Sequence, residues 1–371
     1  MHGIPINMSL PCSSNLTPIE ASLFLLKRQL YAVAVPVIVL LAMVVMLVNG
    51  ALLLATRLIK RPSSGRCGNP TLPLTISLAV SDLCTSIAMT FSVVYNSYVY
   101  SVLGLFTNAC VSLTFEALRM GGLITSTWHL LALAVSHYLN ISHPSTFKEI
   151  LTPRATRLVI CVMWCLPPFF LLLFFSATPN QGFRSPYHPC LGHCWQIQFW
   201  STLSFRLVTF FVFVAPFLVM STLYIKFLHL SYRQDQLVTP STALKRKRRT
   251  FMTTVCIWVT FFLFWIPTCL AFLLTCSTCP LTLDTHPKLV FALGVLSNLC
   301  ILFKSLINPV IYAVRIPEIK TARAKQYGWA RRWGQVGHDH NINHGRNMTF
   351  IHANNAAHEN PNELDQLLNK T

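Results

Sequence analysis

Two residues of opposite charge stand alone inside long apolar stretches of this sequence, and they are the first candidates for chemistry. One is Asp82 and the other is Lys304, and Asn308 follows Lys304 by one helical turn, so that both would face the same way. A charged group in apolar surroundings is costly unless it faces a polar interior and finds a partner. We therefore predict that Lys304 points at Asp82 and forms an internal ion pair; the alternative is that its ammonium reaches a water-filled cavity.

A second set of charges could recognise an anion. Arg119 follows Glu116 by three residues, a spacing that permits an ion pair within one helix. Its guanidinium could instead bind a carboxylate or phosphate of a ligand through two parallel hydrogen bonds, and Arg206 would add to such a site. The apolar stretches contain no catalytic set of residues and no nucleotide-binding loop, so we expect a protein that is not an enzyme and that needs neither cofactor nor metal.

The elements that hold these residues are long apolar segments. Of the 371 residues, 53% are hydrophobic and only 11% are charged, whereas a soluble globular protein has about 25% charged residues. A membrane helix needs about 20 mainly apolar residues, and seven segments satisfy this requirement: 30–56, 72–98, 109–135, 158–176, 200–225, 251–276 and 289–314. The sequence therefore predicts an all-α membrane protein with a seven-helix bundle over residues 30–314. A transporter or channel is disfavoured because no internal repeat is visible.

The distribution of charge predicts the orientation of the bundle. The net charge is +18, and the basic residues fall in short runs after the first, third, fifth and seventh segments. Because loops rich in Lys and Arg stay on the cytoplasmic side, the amino-terminal segment 1–29 is predicted outside and the carboxyl terminus inside. Two glycosylation acceptors, Asn7 and Asn15, fall on the predicted outer side. Basic runs between spans indicate contact with membrane lipid rather than with nucleic acid.

Polar residues, aromatic residues and prolines occur in a set order along the seven segments. They are Asn49, Asp82, Trp164, Pro216, Tyr224, Phe261, Trp265, Pro267, Asn308, Pro309 and Tyr312. Together they resemble the fingerprint of the rhodopsin-like (class A) G-protein-coupled receptors, over about residues 49–320, and the chain would be a divergent member. The resemblance implies an amphipathic helix along the inner membrane face at 315–333. Composition predicts a disordered polar tail at 334–371.

The resemblance also implies partners and roles. The partners would be an extracellular ligand, a heterotrimeric G protein and arrestin, at the plasma membrane. The implied ligand-binding residues are Glu116, Arg119, Leu123, Arg206, Trp265, Thr268 and Phe272. The implied activation switch comprises Asn49, Asp82, Ser126, Pro216, Tyr224, Phe261, Trp265, Pro267, Lys304, Ser305, Asn308, Pro309 and Tyr312. In the family the cluster around Asp82 often holds sodium, whereas the simpler alternative is a polar knot that only joins helices.

The sequence departs from the family at the end of the third span. Where the family has Asp or Glu, then Arg, then Tyr, this chain has Ser136, His137 and Tyr138, followed by Pro144 as in the family. His137, Tyr138 and Pro144 are the implied G-protein contacts. Because a neutral histidine is shorter than arginine, a receptor that does not signal (a decoy, scavenger or partner subunit) is the alternative. Arg119 stands where amine receptors carry Asp, so a peptide or acidic small molecule is expected rather than a typical amine.

Cysteines near the predicted outer face favour disulfides, since that compartment is oxidising. The resemblance implies a bond from Cys110 to the second outer loop, where the partner could be Cys190 or Cys194. Cys276 and Cys279 are expected to close the third outer loop.

Overall fold

The computed structural model describes residues 18–57, 71–188, 192–235, 242–279, 281–282 and 285–315. Its α-helices in these ranges are α1 (Pro18–Arg57), α2 (Thr71–Val93), α3 (Ala109–Ser142), α4 (Pro144–Ile150), α5 (Pro153–Ala177), α6 (Leu203–Asp235), α7 (Thr242–Leu274) and α8 (Pro287–Arg315). A π-helical stretch, Val94–Val99, continues α2. The short α4 lies in the loop after α3, and the other seven helices are the seven predicted spans.

The long helices have the composition of membrane spans. Among the described residues, six helices are long and apolar enough to cross a membrane, and α7 contributes the shorter apolar stretch Trp258–Leu274. Large apolar side chains such as Leu47 and Phe169 are exposed on the outside of the bundle, whereas Asn49 and Asp82 are completely buried. Polar groups inside and apolar groups outside are the arrangement expected when lipid is the solvent.

Several helices extend beyond the predicted apolar segments. Helix α1 begins at Pro18, well before the predicted boundary at residue 30, and α6 continues to Asp235. The physical reason is that hydropathy marks only the apolar part of a helix, while the backbone hydrogen bonds continue into polar sequence. Asn7, Asn15, nearly all of 315–333 and the tail 334–371 lie outside the described residues, as does the side chain of Tyr312.

Helix α3 is central, since it packs against α2, α5, α6 and α7, while α1 closes the ring between α2 and α8. Two adjacent glycines allow α3 to approach its neighbours closely. A Cβ atom on Gly121 would lie 3.0 Å from the Cα of Pro168 on α5. A Cβ atom on Gly122 would lie 2.5 Å from the hydroxyl oxygen of Thr85 on α2. Side chains at these positions would force the helices apart.

Two disulfides lie at one end of the bundle, which we call the disulfide end. Cys110, at the start of α3, bonds to Cys194 in the loop between α5 and α6, with an S–S distance of 2.03 Å. Cys276 bonds to Cys279 directly after α7. The structure thus selects Cys194 rather than Cys190 as the partner of Cys110; Cys190 itself lies outside the described residues.

Candidate functional site

A buried polar cluster joins α2, α3 and α8 in the middle of the bundle; we call Asp82, Ser126, Lys304, Ser305 and Asn308 the Asp82 cluster. Ser126 and Ser305 donate hydrogen bonds to Oδ1 of Asp82 at 2.7 Å and 3.2 Å. Asn308 donates to Oδ2 at 2.9 Å. Both carboxylate oxygens therefore accept hydrogen bonds from neighbouring helices, so the polar residues share one network.

Lys304 supplies a cation to this cluster. Its Nζ lies 3.6 Å from Oδ1 of Asp82 and donates a hydrogen bond to the hydroxyl of Ser126 at 2.5 Å. Ser126 thus bridges the ammonium and the carboxylate. Asn49 does not contact the carboxylate; its amide donates to the backbone oxygen of Ser305 at 3.3 Å and so joins α1 to α8. The carboxylate of Asp82 is neutralised by a side chain of the same chain.

A column of aromatic rings leads away from the centre of the bundle. The ring of Trp265 on α7 lies 4.9 Å from that of Phe213 on α6 and 5.8 Å from that of Phe261. Phe217 stacks on Phe261 at 5.9 Å. At the end of the column far from Trp265, the ring of Tyr224 makes an edge contact with that of Trp258 at 6.3 Å. Pro216, Pro267 and Pro309 lie inside the long helices α6, α7 and α8, where each removes one backbone donor.

A cavity of about 940 Å³ occupies the bundle at the disulfide end. Six of the seven predicted ligand-binding residues lie in its wall: Arg119, Leu123, Arg206, Trp265, Thr268 and Phe272. The seventh, Glu116, does not, because its carboxylate is taken up by neighbouring side chains. Glu116 therefore lies behind the cavity wall, and its contact with a ligand stays a prediction.

Both carboxylate oxygens of Glu116 accept hydrogen bonds from neighbouring side chains. Its Oε1 accepts hydrogen bonds from Ser92 at 2.5 Å and from Asn96 at 3.2 Å. Its Oε2 accepts both Nε and Nη2 of Arg119, at 3.0 Å and 2.5 Å. The pair within one helix is thus formed, and Arg119 also borders the cavity.

Arg206 has a different environment. Its side chain is buried, Nη1 donates to the backbone oxygen of Phe272 and to the hydroxyl of Thr275 at 2.5 Å and 2.6 Å, and Nε donates to the backbone oxygen of Trp200 at 3.2 Å. The guanidinium carbon lies 4.7 Å from the centre of the Phe272 ring. Within the described residues no carboxylate lies within 4 Å of Arg206. Its charge is solvated by neutral oxygens of Trp200, Phe272 and Thr275, and no acidic side chain among the described residues neutralises it.

The predicted G-protein contacts lie at the other end of α3. Ser136 is buried, and Nδ1 of His137 is buried without a hydrogen-bond partner among the described residues. Tyr138 precedes the last turn of α3, and Pro144 starts α4. These residues therefore lie together at one end of the bundle. Their contact with a G protein is a proposal.

One buried network has no counterpart among the predicted site residues. Nε2 of His129 lies 2.8 Å from the hydroxyl of Ser77, Trp164 donates to the same hydroxyl at 3.0 Å, and Nδ1 of His129 lies 2.8 Å from the backbone oxygen of Thr125. Only Trp164 stood out in the sequence. The signal in the sequence for His129 was its position one helical turn after Ser126. The signal for Ser77 was its position five residues before Asp82. Lys27 and Trp200 in the cavity wall were also missed.

Comparisons with known proteins agree with this architecture. Residues 58–312 match the model of the 7 transmembrane receptor (rhodopsin family). Galanin receptor type 2 of Mus musculus is 28% identical over 292 residues, which are 76% of this chain and 73% of that receptor. Galanin receptor type 3 of Mus musculus is 31% identical over 146 residues, 39% of each chain. Melanin-concentrating hormone receptor 1 of Homo sapiens is 27% identical over 218 residues, 55% of this chain and 57% of that receptor.

The family fixes the broad identity of the protein. The matched region runs from before α2 almost to the end of α8 and includes the Asp82 cluster, the aromatic column and most of the cavity wall. The chain spans less than two thirds of the length of two of these three relatives. The chain belongs to the rhodopsin family of seven-transmembrane receptors, and is a multi-pass plasma-membrane receptor rather than an enzyme.

Proposed function

We propose that this receptor binds an extracellular ligand with an acidic group in the large cavity and signals to a heterotrimeric G protein. The observation that carries the proposal is the charge of the cavity wall. Among the described residues that line it, three are basic, Lys27, Arg119 and Arg206, and none is acidic. A wall of this kind attracts carboxylates and phosphates and repels ammonium groups.

Arg206 is the strongest candidate for the anion anchor. A buried cation is costly without a counterion, and the three oxygens that surround this guanidinium are neutral. Arg119 is the second candidate, although part of its charge is already compensated by Glu116. Lys27 is the third, with Nζ 5.6 Å from the centre of the Phe291 ring. An acidic ligand group would supply the missing negative charge.

The size of the cavity admits either a peptide segment or an acidic small molecule. The relatives are named as receptors for galanin and for melanin-concentrating hormone, which favours a signalling receptor over the decoy, scavenger or subunit alternative. A typical biogenic amine is disfavoured by the three cations. We orient the disulfide end outward, because the basic loops predict that the opposite end faces the cytoplasm.

Signal transmission would begin at Trp265, which lines the cavity and starts the aromatic column. Movement of α7 about Pro267 would reach the Asp82 cluster and the end of α3. A G protein, and arrestin as a further partner, would dock there around His137, Tyr138 and Pro144. Anionic membrane lipid would contact the neighbouring basic loops.

G-protein activation in cells tests the coupling step. Wild type and His137→Arg would be compared without ligand across the main Gα classes, at matched surface expression. Activity of the wild type supports coupling, and His137→Arg is expected to be more active because an arginine reaches farther toward the transducer. Activity of His137→Arg beside a silent wild type would instead favour the receptor that does not signal. Silence of both, even with the best ligand found below, would refute G-protein signalling.

A screen of carboxylates, phosphates, amines and short peptides tests the ligand class. We expect acidic compounds among the hits and a potency loss of at least about tenfold in Arg206→Gln, since hydrogen bonds to charged groups contribute about 1.5–3 kcal/mol. Arg206→Lys should retain part of the potency. Lys288→Gln is the matched control, because it removes an exposed cation on α8 that lies outside the cavity wall. Hits confined to amines, or equal potency in Arg206→Gln and Lys288→Gln, would contradict the proposal.

A further inference from the structure

A second, smaller cavity of about 220 Å³ lies between α3, α5 and α6. Its wall is almost entirely apolar and aromatic on α3 and α5: Met120, Ile124, Phe170, Leu171 and Phe174. The remaining wall comes from the start of α6 and the turn before it: Phe199, Thr202, Ser204, Phe205, Val208, Thr209 and Val212. We call this the apolar pocket. Among the described residues that line it, none is charged.

The apolar pocket adjoins the large cavity. Met120 and Thr209 line both, so these two side chains belong to a common wall. Arg206 lies on the cavity side, one turn before Thr209 on α6, and directly follows Phe205 of the apolar pocket. A guanidinium without a carboxylate partner and an apolar pocket are therefore neighbours on the same helix.

The apolar pocket also reaches the outer surface of the bundle. Phe170 on α5 is 49% exposed and Val208 on α6 is 55% exposed, although both line the pocket. These helices span the membrane, so the mouth between them faces lipid chains. The stretch of α6 from Phe205 to Val212 is about 10 Å long, which is enough to accompany a medium-length alkyl chain.

We infer that the ligand is an anionic amphiphile with a single alkyl chain, whose acidic head binds Arg206 in the large cavity and whose chain passes Met120 and Thr209 into the apolar pocket. The inference rests on the proposed function and deepens it by naming the ligand class. It follows from charge complementarity on one side of the common wall and apolar complementarity on the other. The lipid-facing mouth gives such a molecule a route of entry from the membrane.

Photolabelling of the full-length receptor in nanodiscs tests this placement. The probe is a saturated medium-chain carboxylate with a diazirine near the end of the chain, and the matched alcohol reports binding without the charge. We expect labels on α5 around Phe170 and on α6 between Phe205 and Val212. Arg206→Gln should reduce labelling by the carboxylate at least about tenfold and leave labelling by the alcohol nearly unchanged.

A substitution at the mouth tests the apolar pocket separately from the charge. Val208→Trp should fill the mouth and reduce labelling at least about fivefold, and because Val208 is largely exposed the larger ring need not crowd the core. Val219→Trp is the matched control, since Val219 is 45% exposed, lies three turns later on nearly the same face of α6 and lines neither cavity.

The outcomes separate this inference from the proposed function. Equal labelling in wild type and Val208→Trp, or labels confined to other surfaces, would refute the inference that an anionic amphiphile occupies the apolar pocket. If a water-soluble acid or an acidic peptide then activates the receptor and loses potency in Arg206→Gln but not in Val208→Trp, the proposed function stands without it. If neither Arg206→Gln nor Val208→Trp affects any ligand, both fail.

Discussion

Replacing Lys304 by methionine should destabilise the receptor strongly, because it leaves the buried carboxylate of Asp82 without its cation. At the observed separation of 3.6 Å, the attraction is about 4.6 kcal/mol for an effective dielectric constant of about 20. Removing one partner of a buried ion pair typically costs about 3–5 kcal/mol. The substitution also removes the hydrogen bond from the ammonium to Ser126. Methionine keeps most of the aliphatic stem, so the loss is mainly electrostatic.

The assay is thermal unfolding of the purified receptor in detergent. We expect the midpoint of Lys304→Met to fall by roughly 6 °C or more, since each kcal/mol shifts Tm by about 2 °C in a large domain. The double variant Asp82→Asn with Lys304→Met should recover much of the loss, because an uncharged pair needs no counterion. Lys288→Met, an exposed lysine on the same helix, should leave the midpoint unchanged. Equal midpoints for wild type and Lys304→Met would refute the ion pair.

The same residues predict the response to sodium. With its own ammonium beside Asp82, the wild type should have the same thermal midpoint, and the same agonist affinity, in sodium chloride and in choline chloride. Lys304→Ser opens space and restores a net negative charge, so sodium should stabilise this variant in proportion to ln(1 + [Na⁺]/Kd). Specific stabilisation of the wild type by sodium would show that Lys304 does not replace the ion.

Three further variants test the packing of the bundle by thermal unfolding. Gly122→Ala should lower the free energy of unfolding by about 1–3 kcal/mol, because its Cβ would lie 2.5 Å from the hydroxyl oxygen of Thr85 on α2. Gly50→Ala is the control and should be neutral or stabilising, since nothing lies within 4 Å of a Cβ atom there. Equal effects of the two substitutions would contradict the close approach of α3 to α2. Ser77→Ala should lower the free energy of unfolding by about 1–3 kcal/mol, because a buried ring nitrogen of His129 and a partly buried one of Trp164 lose their partner. An unchanged midpoint would argue against that network. Cys110→Ser should lower the midpoint more than Cys276→Ser, since the first disulfide closes a loop of 84 residues and the second one of 3; the reverse order would be inconsistent with this entropic argument.

The architecture was predictable because lipid imposes a strong rule on the sequence. A span must be apolar over about 20 residues, so the seven segments were visible from composition alone. The contact between Lys304 and Asp82 was predictable for a related reason, since two opposite charges in apolar spans each need a partner and few are available. Local spacing was sufficient here because it placed Lys304 and Asn308 on one face of α8.

Features that depend on distances between helices were not predictable from the spacing of residues along the sequence. The choice of Cys194 over Cys190 depends on the course of a loop, and the retention of Glu116 by Ser92 and Asn96 depends on how α2 turns beside α3. The network of His129 likewise requires three helices to meet. Such contacts are fixed by tertiary packing, which a single sequence does not display.

Among the residues that the structure describes, the two buried Lys and Arg side chains are stabilised in different ways, and the difference bears on function. Lys304 has a carboxylate at 3.6 Å, whereas Arg206 has only oxygens of Trp200, Phe272 and Thr275. The last two lie at the carboxyl end of α7, where the helix dipole favours a cation by about 0.3–2 kcal/mol. An anion that reaches Arg206 must compete with these α7 oxygens, so anion binding and the position of α7 are thermodynamically linked. A ligand that bypasses Arg206 would have no such link through this residue.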